Sequence, residues 1–386
     1  MCMQIQEIIL LIVVTVGGIG LLIGYFFYPL FLLLSSKRRS PSTPVSLSTS
    51  ATLIIPAWEE RELSKKISNT LSLDRNGIDL QIIVITDEYP PSSLSSEITW
   101  ITESTRAGKS VSINRAMEQV KTPFVIFTDA NTFLKTDALQ HLLHPFTDQS
   151  VGAVSGEKRV RSGQARSVGE QLYWRYESFL KQSDASSHSV IGGAGELFAI
   201  RTLLFESLPQ DCLLDDLEIS WQVIRKGYRI AYAPSALATE SASANLHEES
   251  KRKIRMAAGA YQFLDRHSLK DLFSVSPVYA MQFMFRKWFR WVLAPIFLFL
   301  LLLGTIGLIF FETSGPLQPH LTWMLGVFWC AGLIGWGLQQ AGVRISWLEA
   351  PFYFLFMHYC QIRGWLRYRF GKQSSVWEKS ERASLP

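Results

Sequence analysis

Four short stretches carry side chains whose types and spacing could do chemistry. FTDANTF, residues 127 to 133, sets a carboxylate at Asp129 and an amide at Asn131 directly after the apolar run Phe124–Phe127. Two oxygen donors in that pattern suit a hard divalent cation. The plain alternative is a strand-ending turn, since Asp and Asn side chains bond nearby backbone. ESTRAGKSVSINRAM, residues 103 to 117, puts Gly108 before Lys109 at a helix entry, where free N–H groups and the helix dipole favour a phosphate. A basic, solvent-facing helix start is the alternative there. A Walker motif is excluded, because Glu103 stands where G-x-x-x-x-G-K-[ST] requires its first glycine. DCLLDDLE, residues 211 to 218, pairs Asp215 with Asp216 at a helix start. Capping needs only one of them; a carboxylate held there could take the proton of an attacking hydroxyl as a general base. HEESKRKIRMAAGAYQ, residues 247 to 262, spaces Arg252 and Arg255 for one helical face. Such a pair suits a diphosphate or, beside a membrane, anionic lipid.

The elements that must position these groups are legible between Ala51 and about Leu264. The short β-branched runs TLIIP, QIIVIT, FVIFTD and YRIAYAP alternate with helical stretches and lack a polar face. Strands of that kind are buried on both sides and predict an α/β fold with a mainly parallel sheet. Ligands bind such sheets at the carboxyl ends of their strands. Glu59, Asp87, and Asp129 with Asn131 follow those ends and fall on one edge if the strands are neighbours.

Apolar segments flank this domain. Ile8 to Leu34 is long enough to cross a bilayer and is followed by Lys37, Arg38 and Arg39. The positive-inside rule then predicts an N-terminus outside and the domain that follows Leu34 in the cytoplasm. The expected organisation is a transmembrane helix over 1–34, a Ser/Pro linker over 35–50, an α/β domain over 51–264 and an amphipathic interfacial segment over 265–290. A transmembrane hairpin over 291–340 follows, from the apolar runs Trp291–Phe311 and Leu321–Leu338, then a membrane-associated segment and basic tail over 341–386. The apolar stretch Trp347–Ile362 precedes Arg363, Arg367, Arg369 and Lys372, which favours an interfacial or re-entrant segment.

Composition narrows the classes further. The chain has 386 residues, 48% of them apolar, with a formal net charge of +5 whose positives cluster beside the greasy segments. That distribution argues against nucleic acid as a partner. The four cysteines, Cys2, Cys212, Cys330 and Cys360, have no paired spacing, so neither a zinc site nor a disulfide framework is expected. A transporter is disfavoured, since Trp291–Leu338 carries no intramembrane acid or base pair. Two carboxylates also suit glycoside hydrolysis; the basic, phosphate-oriented residues favour a nucleotide donor instead.

Taken in order, the stretches resemble the family 2 glycosyltransferases, in particular the membrane-embedded branch with cellulose, hyaluronan and poly-N-acetylglucosamine synthases. The resemblance covers roughly residues 52 to 264. The family's opening "IPAYNEE" is similar to IPAWEER, with Pro56 kept, Trp58 for Tyr and Glu59 for Asn. Of the Asp pair that contacts uracil, Asp87 remains, with Thr86 in the other place. The family's R-x-GK-x-x-x-x-N is matched by Arg106, Gly108, Lys109 and Asn114, and its DxD by Asp129 and Asn131. GGAGELFAIR resembles the acceptor-side segment, with Gly193, Gly195 and Arg201. The family's ED maps to Asp215-Asp216, and its Q/R-x-x-R-W to Arg252 through Met256, with Met where Trp is usual.

The resemblance implies a GT-A fold, an α/β domain with a Rossmann-like mixed, mainly parallel sheet, and an inverting transfer of a sugar from a nucleotide sugar, usually a UDP-sugar, to a lipid-linked or polysaccharide acceptor. It implies Mg²⁺ or Mn²⁺ on Asp129 with Asn131 in support, and Lys109, Arg252 and Arg255 on the diphosphate. It implies Asp216 as base beside Asp215, Asp87 on the base edge, and Met256 toward the acceptor. The location implied is an integral protein of a bacterial inner membrane, in contact with lipid and with envelope polysaccharide assembly proteins. The departures at Thr86, Asn131 and Met256 motivate one rival, a non-catalytic nucleotide-sugar-binding partner of a synthase.

Overall fold

The computed structural model describes residues 2–35, 48–91, 95–160, 168–310, 318–374 and 376. Most of the expected linker, its basic cluster Lys37–Arg39, the tip of the expected hairpin and the end of the tail lie outside them.

The first apolar run is one continuous helix: α1 (Cys2–Leu22), a π-helical stretch Ile23–Phe27, and α2 (Tyr28–Ser35). Then comes the α/β domain, whose strands are β1 (Thr49–Pro56), β2 (Ile78–Thr86), β3 (Ile98–Thr102), β4 (Phe124–Phe127), β5 (Thr132–Leu134), β6 (Val151–Val160), β7 (Phe198–Arg201) and β8 (Arg229–Glu240). Its helices are α3 (Leu63–Leu71), α4 (Lys109–Met117), α5 (Ala138–Leu143), α6 (Val168–Ser187), α7 (Asp215–Arg225) and α8 (Leu246–Arg266).

All the strands share one sheet in the order β3-β2-β1-β4-β7-β6-β8-β5. Strands β3, β2, β1 and β4 run parallel, β7 is antiparallel to both of its neighbours, β6 and β8 run parallel, and β5 closes the edge antiparallel to β8. The four strands expected from the sequence are β1, β2, β4 and β8. The β6 segment VGAVSGEKRV carries Gly and charges yet forms a strand, with Glu157 and Lys158 buried and paired inside the protein.

The absence of a polar face on β1 has a direct cause. Leu53 and Ile55 pack with α3 and α5 on one side of the sheet, while Ile54 packs with α4 and α7 on the other. Each fully buried aliphatic side chain contributes about 1.5–3 kcal/mol. Because β1, β2 and β4 run parallel, Pro56, Asp87 and Asp129 all emerge from one edge of the sheet.

Beyond the domain come α9 (Leu269–Val275), α10 (Pro277–Phe283), a π-helical segment Met284–Leu293, α11 (Ala294–Phe310), α12 (Gln318–Gln340) and α13 (Ser346–Arg369). Three helical runs, Ile5–Leu34, Pro277–Phe310 and Gln318–Gln340, are long and apolar enough to cross a membrane. The second begins earlier than the expected span because the basic, aromatic segment before Trp291 continues the same helix. The stretch Trp347–Ile362 belongs to α13, where Phe352, Tyr353, Phe356 and Cys360 form one buried cluster with Ile254 of α8. Gly364 of α13 lies directly against Ala257 and Ala258.

Candidate active site

Lys109 is the first residue of α4, entered through Gly108 at φ +99°, a conformation that favours glycine. Its ammonium lies 2.8 Å from Asp129 Oδ1 and 3.1 Å from Asp215 Oδ2. Asp129 leaves the end of β4, and Asp215 and Asp216 open α7, so three separate elements converge on one lysine. Burial works against the Lys109 charge, but Asp129 and Asp215 outweigh it and hold the ammonium above the usual lysine range. Burial pushes the Asp129 carboxyl up, with Lys109 opposing. Asp216 is raised to about 7, by burial first and then by the charge of Asp215, against the pull of Lys109. A carboxylate poised near neutrality beside a lysine can accept a proton at working pH.

Gly195 leaves this centre open. A Cβ there would stand 3.6 Å from Asp216 Oδ2 and 3.8 Å from Lys109 Nζ, so a methyl-sized space lies between the glycine backbone and these two groups. Gly193 serves packing instead. Its N–H donates to Ser220 Oγ at 2.8 Å, and a Cβ there would meet the Phe198 ring at 2.5 Å.

The remaining residues expected at the site fall into distinct places. Asp87 Oδ1 accepts the N–H of Glu59 at 2.9 Å, which joins the ends of β1 and β2 beyond Pro56. The Arg106 guanidinium stands 5.9 Å from the Trp58 ring centroid. Asn114 clamps the approach to α7, donating to Leu208 O and accepting from Leu208 N, both at 2.8 Å. Asn131 is half-buried in the turn before β5, a turn closed by Thr132 N–H donating to Asp129 O at 3.2 Å. Arg255 feels Asp215, Asp129 and Asp216, which oppose the lowering that its burial causes. Arg252 is buried against Glu240 at 3.1 Å and Glu249 at 3.0 Å. Met256 is exposed on α8. Arg201 is not brought to the centre: it is paired with Phe124 at the start of β4 and binds the carbonyls of Val151 and Phe146.

Two further groups bear on the centre and were missed from the sequence. Lys66 is fully buried on α3, and its Nζ donates to Thr128 Oγ1 at 2.9 Å and Thr132 O at 2.6 Å, bracketing the Asp129 turn from beneath. Burial lowers it to about 7, with Asp129 opposing. A lysine on the Leu63, Lys66, Thr70 stripe of an amphipathic helix was the available signal. Glu196 follows Gly195 and pairs with Lys158, itself also paired with Glu240. Burial pushes Glu196 up, but Lys158 overrides it and holds the carboxyl well below its usual range.

The donor set also bears on a metal. Among the described residues no three acidic, His or Cys side chains are grouped to hold an ion by themselves. Asp129, Asp215 and Asp216 nevertheless bring three carboxylates to one lysine, and burial raises two of them. That surplus fits a cation held by one carboxylate and completed by substrate phosphates and water, the habit of Mg²⁺ and Mn²⁺ at nucleotide sites.

Comparison with known proteins bears on the whole arrangement. A family model described as "Glycosyltransferase like family 2" matches residues 49–259. A poly-beta-1,6-N-acetyl-D-glucosamine synthase of Staphylococcus aureus (strain COL) is 24% identical over 269 residues, which are 64% of this chain and 64% of that protein. The Staphylococcus epidermidis protein of the same name is 24% identical over 231 residues, 56% of this chain and 54% of its own length. The match thus spans less than two thirds of these relatives. A mannosyltransferase from Pyrobaculum calidifontis, solved in complex with GDP-Man and Mn²⁺, superposes with a TM-score of 0.68 at 18% identity, over 95% of this chain and 100% of that one. At that identity the likeness speaks for the fold alone.

Proposed function

We propose, on the premise that this chain belongs to the family 2-like glycosyltransferases, that it is a membrane-bound inverting glycosyltransferase. It moves a sugar from a nucleotide sugar to the hydroxyl of a lipid-linked or polysaccharide acceptor. The observation that carries this reading is the convergence of Lys109, Asp129 and the Asp215-Asp216 pair beside an open glycine, with Asp216 raised to about 7.

Each chemical task has a residue. Asp216 accepts the proton of the acceptor hydroxyl as its oxygen bonds to the anomeric carbon. The bond from that carbon to the diphosphate breaks on the opposite face, and the nucleoside diphosphate leaves with the electron pair. Lys109 and Arg255, both coupled to the Asp129 and Asp215 carboxylates, would meet that departing charge. Asp129, with Asn131 beside it, would hold Mg²⁺ or Mn²⁺, which when bound neutralises diphosphate charge. Asp87 at the end of β2 and Arg106 beside Trp58 would contact the nucleotide. Arg252 acts through Glu240 and Glu249 to hold α8, which carries Arg255.

UDP is the nucleotide this reading favours, because the Asp87 carboxylate at the end of β2, which accepts the Glu59 N–H, has further acceptor capacity for a uracil N–H. The three apolar helical runs, and the basic residues Arg363, Arg367, Arg369 and Lys372 near the end of α13, support a bacterial inner-membrane protein with the domain in the cytoplasm.

The synthases that resemble this chain are named for N-acetylglucosamine polymers and the fold neighbour was solved with GDP-Man, so the deciding experiment compares donors. The full chain in nanodiscs is given radiolabelled UDP-N-acetylglucosamine, UDP-glucose or GDP-mannose with Mn²⁺, and lipid-soluble label is separated from polymeric label. Transfer from one donor that is lost in Asp216→Asn is expected. Nucleotide binding without transfer from any donor would favour a binding protein instead.

A further inference from the structure

A cavity of about 350 Å³ opens where the first apolar helix, α6, the π-helical segment and α13 meet. Its walls include Tyr25, Tyr173, Lys287, Arg290, Trp291 and Tyr353. Tyr25 lies within Ile5–Leu34, and Lys287, Arg290 and Trp291 lie within Pro277–Phe310, two of the runs long and apolar enough to cross a membrane. Tyrosine, tryptophan and basic residues gathered on spanning helices mark the level of lipid headgroups.

The cations along the π-helical segment are not all paired with carboxylates. Arg286 binds Glu177 at 2.8 Å and Asp184 at 3.0 Å, and Arg290 binds Glu177 at 2.8 Å while lying 5.1 Å from the Tyr25 ring centroid. Two guanidinium groups therefore meet two carboxylates. Lys287 is a third cation. It stands 5.7 Å from the Trp291 ring centroid and forms no ion pair among the described residues. Lys287, a cation without an ion pair among the described residues, thus faces a space with aromatic walls. An anionic group attached to an apolar body satisfies both features, whereas an uncharged glycan leaves the lysine unmatched.

We propose that this cavity seats the phosphate headgroup of a membrane lipid, with its tail leaving between the spanning helices. It stands apart from the carboxylate centre. Helix α8 forms the partition: Arg255 feels Asp215 and Asp129 on one side, while Tyr261 donates to Trp291 O at 2.6 Å on another. The proposal rests on the reading of these helices as membrane-spanning and is independent of the transfer reaction, so a binding experiment tests it separately.

The full chain is reconstituted in phosphatidylcholine nanodiscs containing a trace of photo-crosslinkable phosphatidic acid, irradiated, and the labelled peptides are mapped. Label is expected on the segments around Tyr173 and Tyr353, displaced by excess phosphatidic acid and not by added phosphatidylcholine or millimolar inorganic phosphate. Lys287→Gln should reduce labelling about fivefold, the effect of one lysine on an anionic lipid, and Lys287→Arg should restore it. A melting temperature for Lys287→Gln equal to that of the parent separates lost binding from lost folding. Label scattered evenly over the spanning helices, competition by inorganic phosphate, or full labelling of a folded Lys287→Gln protein each overturns the proposal.

Discussion

The ammonium of Lys66 stands 2.9 Å from the hydroxyl of Thr128, one residue before the Asp129 carboxylate. The same ammonium binds the carbonyl of Thr132, so one buried cation fixes both ends of the turn that presents Asp129 and Asn131. Misplacing a catalytic group by an ångström can cost about a hundredfold in rate. Lys66→Met keeps the bulk of the side chain and removes both bonds. Turnover is expected to fall about tenfold or more, with nucleotide affinity changed less, as steady-state transfer and calorimetric titration with nucleotide would show. Unchanged turnover would reduce Lys66 to a packing residue.

Asp216 gives a prediction in two measurements. As a base it must be ionised, so kcat/KM for transfer should fall as the pH drops through about 7. Asp216→Asn should lower turnover by about 10²–10⁴, the range for a general base. The sign for stability is the reverse. The folded carboxyl titrates near 7, above its ordinary value, so its burial destabilises the fold fully above that pH and not at all when the carboxyl is protonated in both states. The Asn variant should therefore melt higher than the parent at pH 8 and lose that advantage near pH 4.

The turn itself separates its two side chains. Asp129→Ala should abolish transfer, whereas Asn131→Ala should lower it by at most about tenfold and raise the Mn²⁺ concentration for half-maximal rate. Chelation by EDTA should stop the parent enzyme, with activity restored by added Mn²⁺. Equal and negligible effects of the two substitutions would leave the segment a simple turn.

Two glycines two residues apart should respond oppositely to one methyl group. In Gly193→Ala the new atom meets the Phe198 ring at 2.5 Å, so the melting temperature should fall. In Gly195→Ala the contacts are ordinary, at 3.6 Å and 3.8 Å, but the methyl fills the space before Asp216 and Lys109. That variant should melt as the parent does and transfer poorly. Thermal denaturation and initial rates on both proteins decide the matter.

Asn114 holds the loop that delivers the acid pair. Asn114→Ala removes both bonds to Leu208 and leaves a backbone N–H and a carbonyl without partners. A loss of about 1–3 kcal/mol in stability is expected. Activity should fall more than stability alone explains, because the loop leads directly to Asp215 and Asp216.

How far the sequence revealed this arrangement depended on the kind of signal. The strands β1, β2 and β4 were legible because both sheet faces are covered, leaving an unbroken apolar run. The groups meeting at Lys109 were legible through ordered spacing: each lies at the end of a strand or the entry of a helix, where type and position are tightly coupled. The rest was hidden for a shared reason. Lys66, Lys158, Glu196 and Glu240 are charged residues inside the protein, and charge in a sequence reads as surface until its partner is known. The partners of Lys158 lie in β8 and beside Gly195, far away in the chain. Arg252 illustrates the same limit. Its spacing from Arg255 suggested a shared ligand, but its neighbours Glu240 and Glu249 take it up.

The packing of α13 on α8 bears on how this protein can be divided. The family match ends at residue 259, inside the helix Leu246–Arg266. A fragment cut there would lose the last turns of α8 and uncover Ile254, Ala257 and Ala258, which Phe352, Phe356 and Gly364 otherwise cover. Such a fragment would carry a sticky apolar face and an α8 too short for Gln262 to accept the N–H of Leu213. Expression designs that aim at a soluble enzyme should therefore retain α13, by permutation or fusion, because the folding unit and the homology unit have different borders.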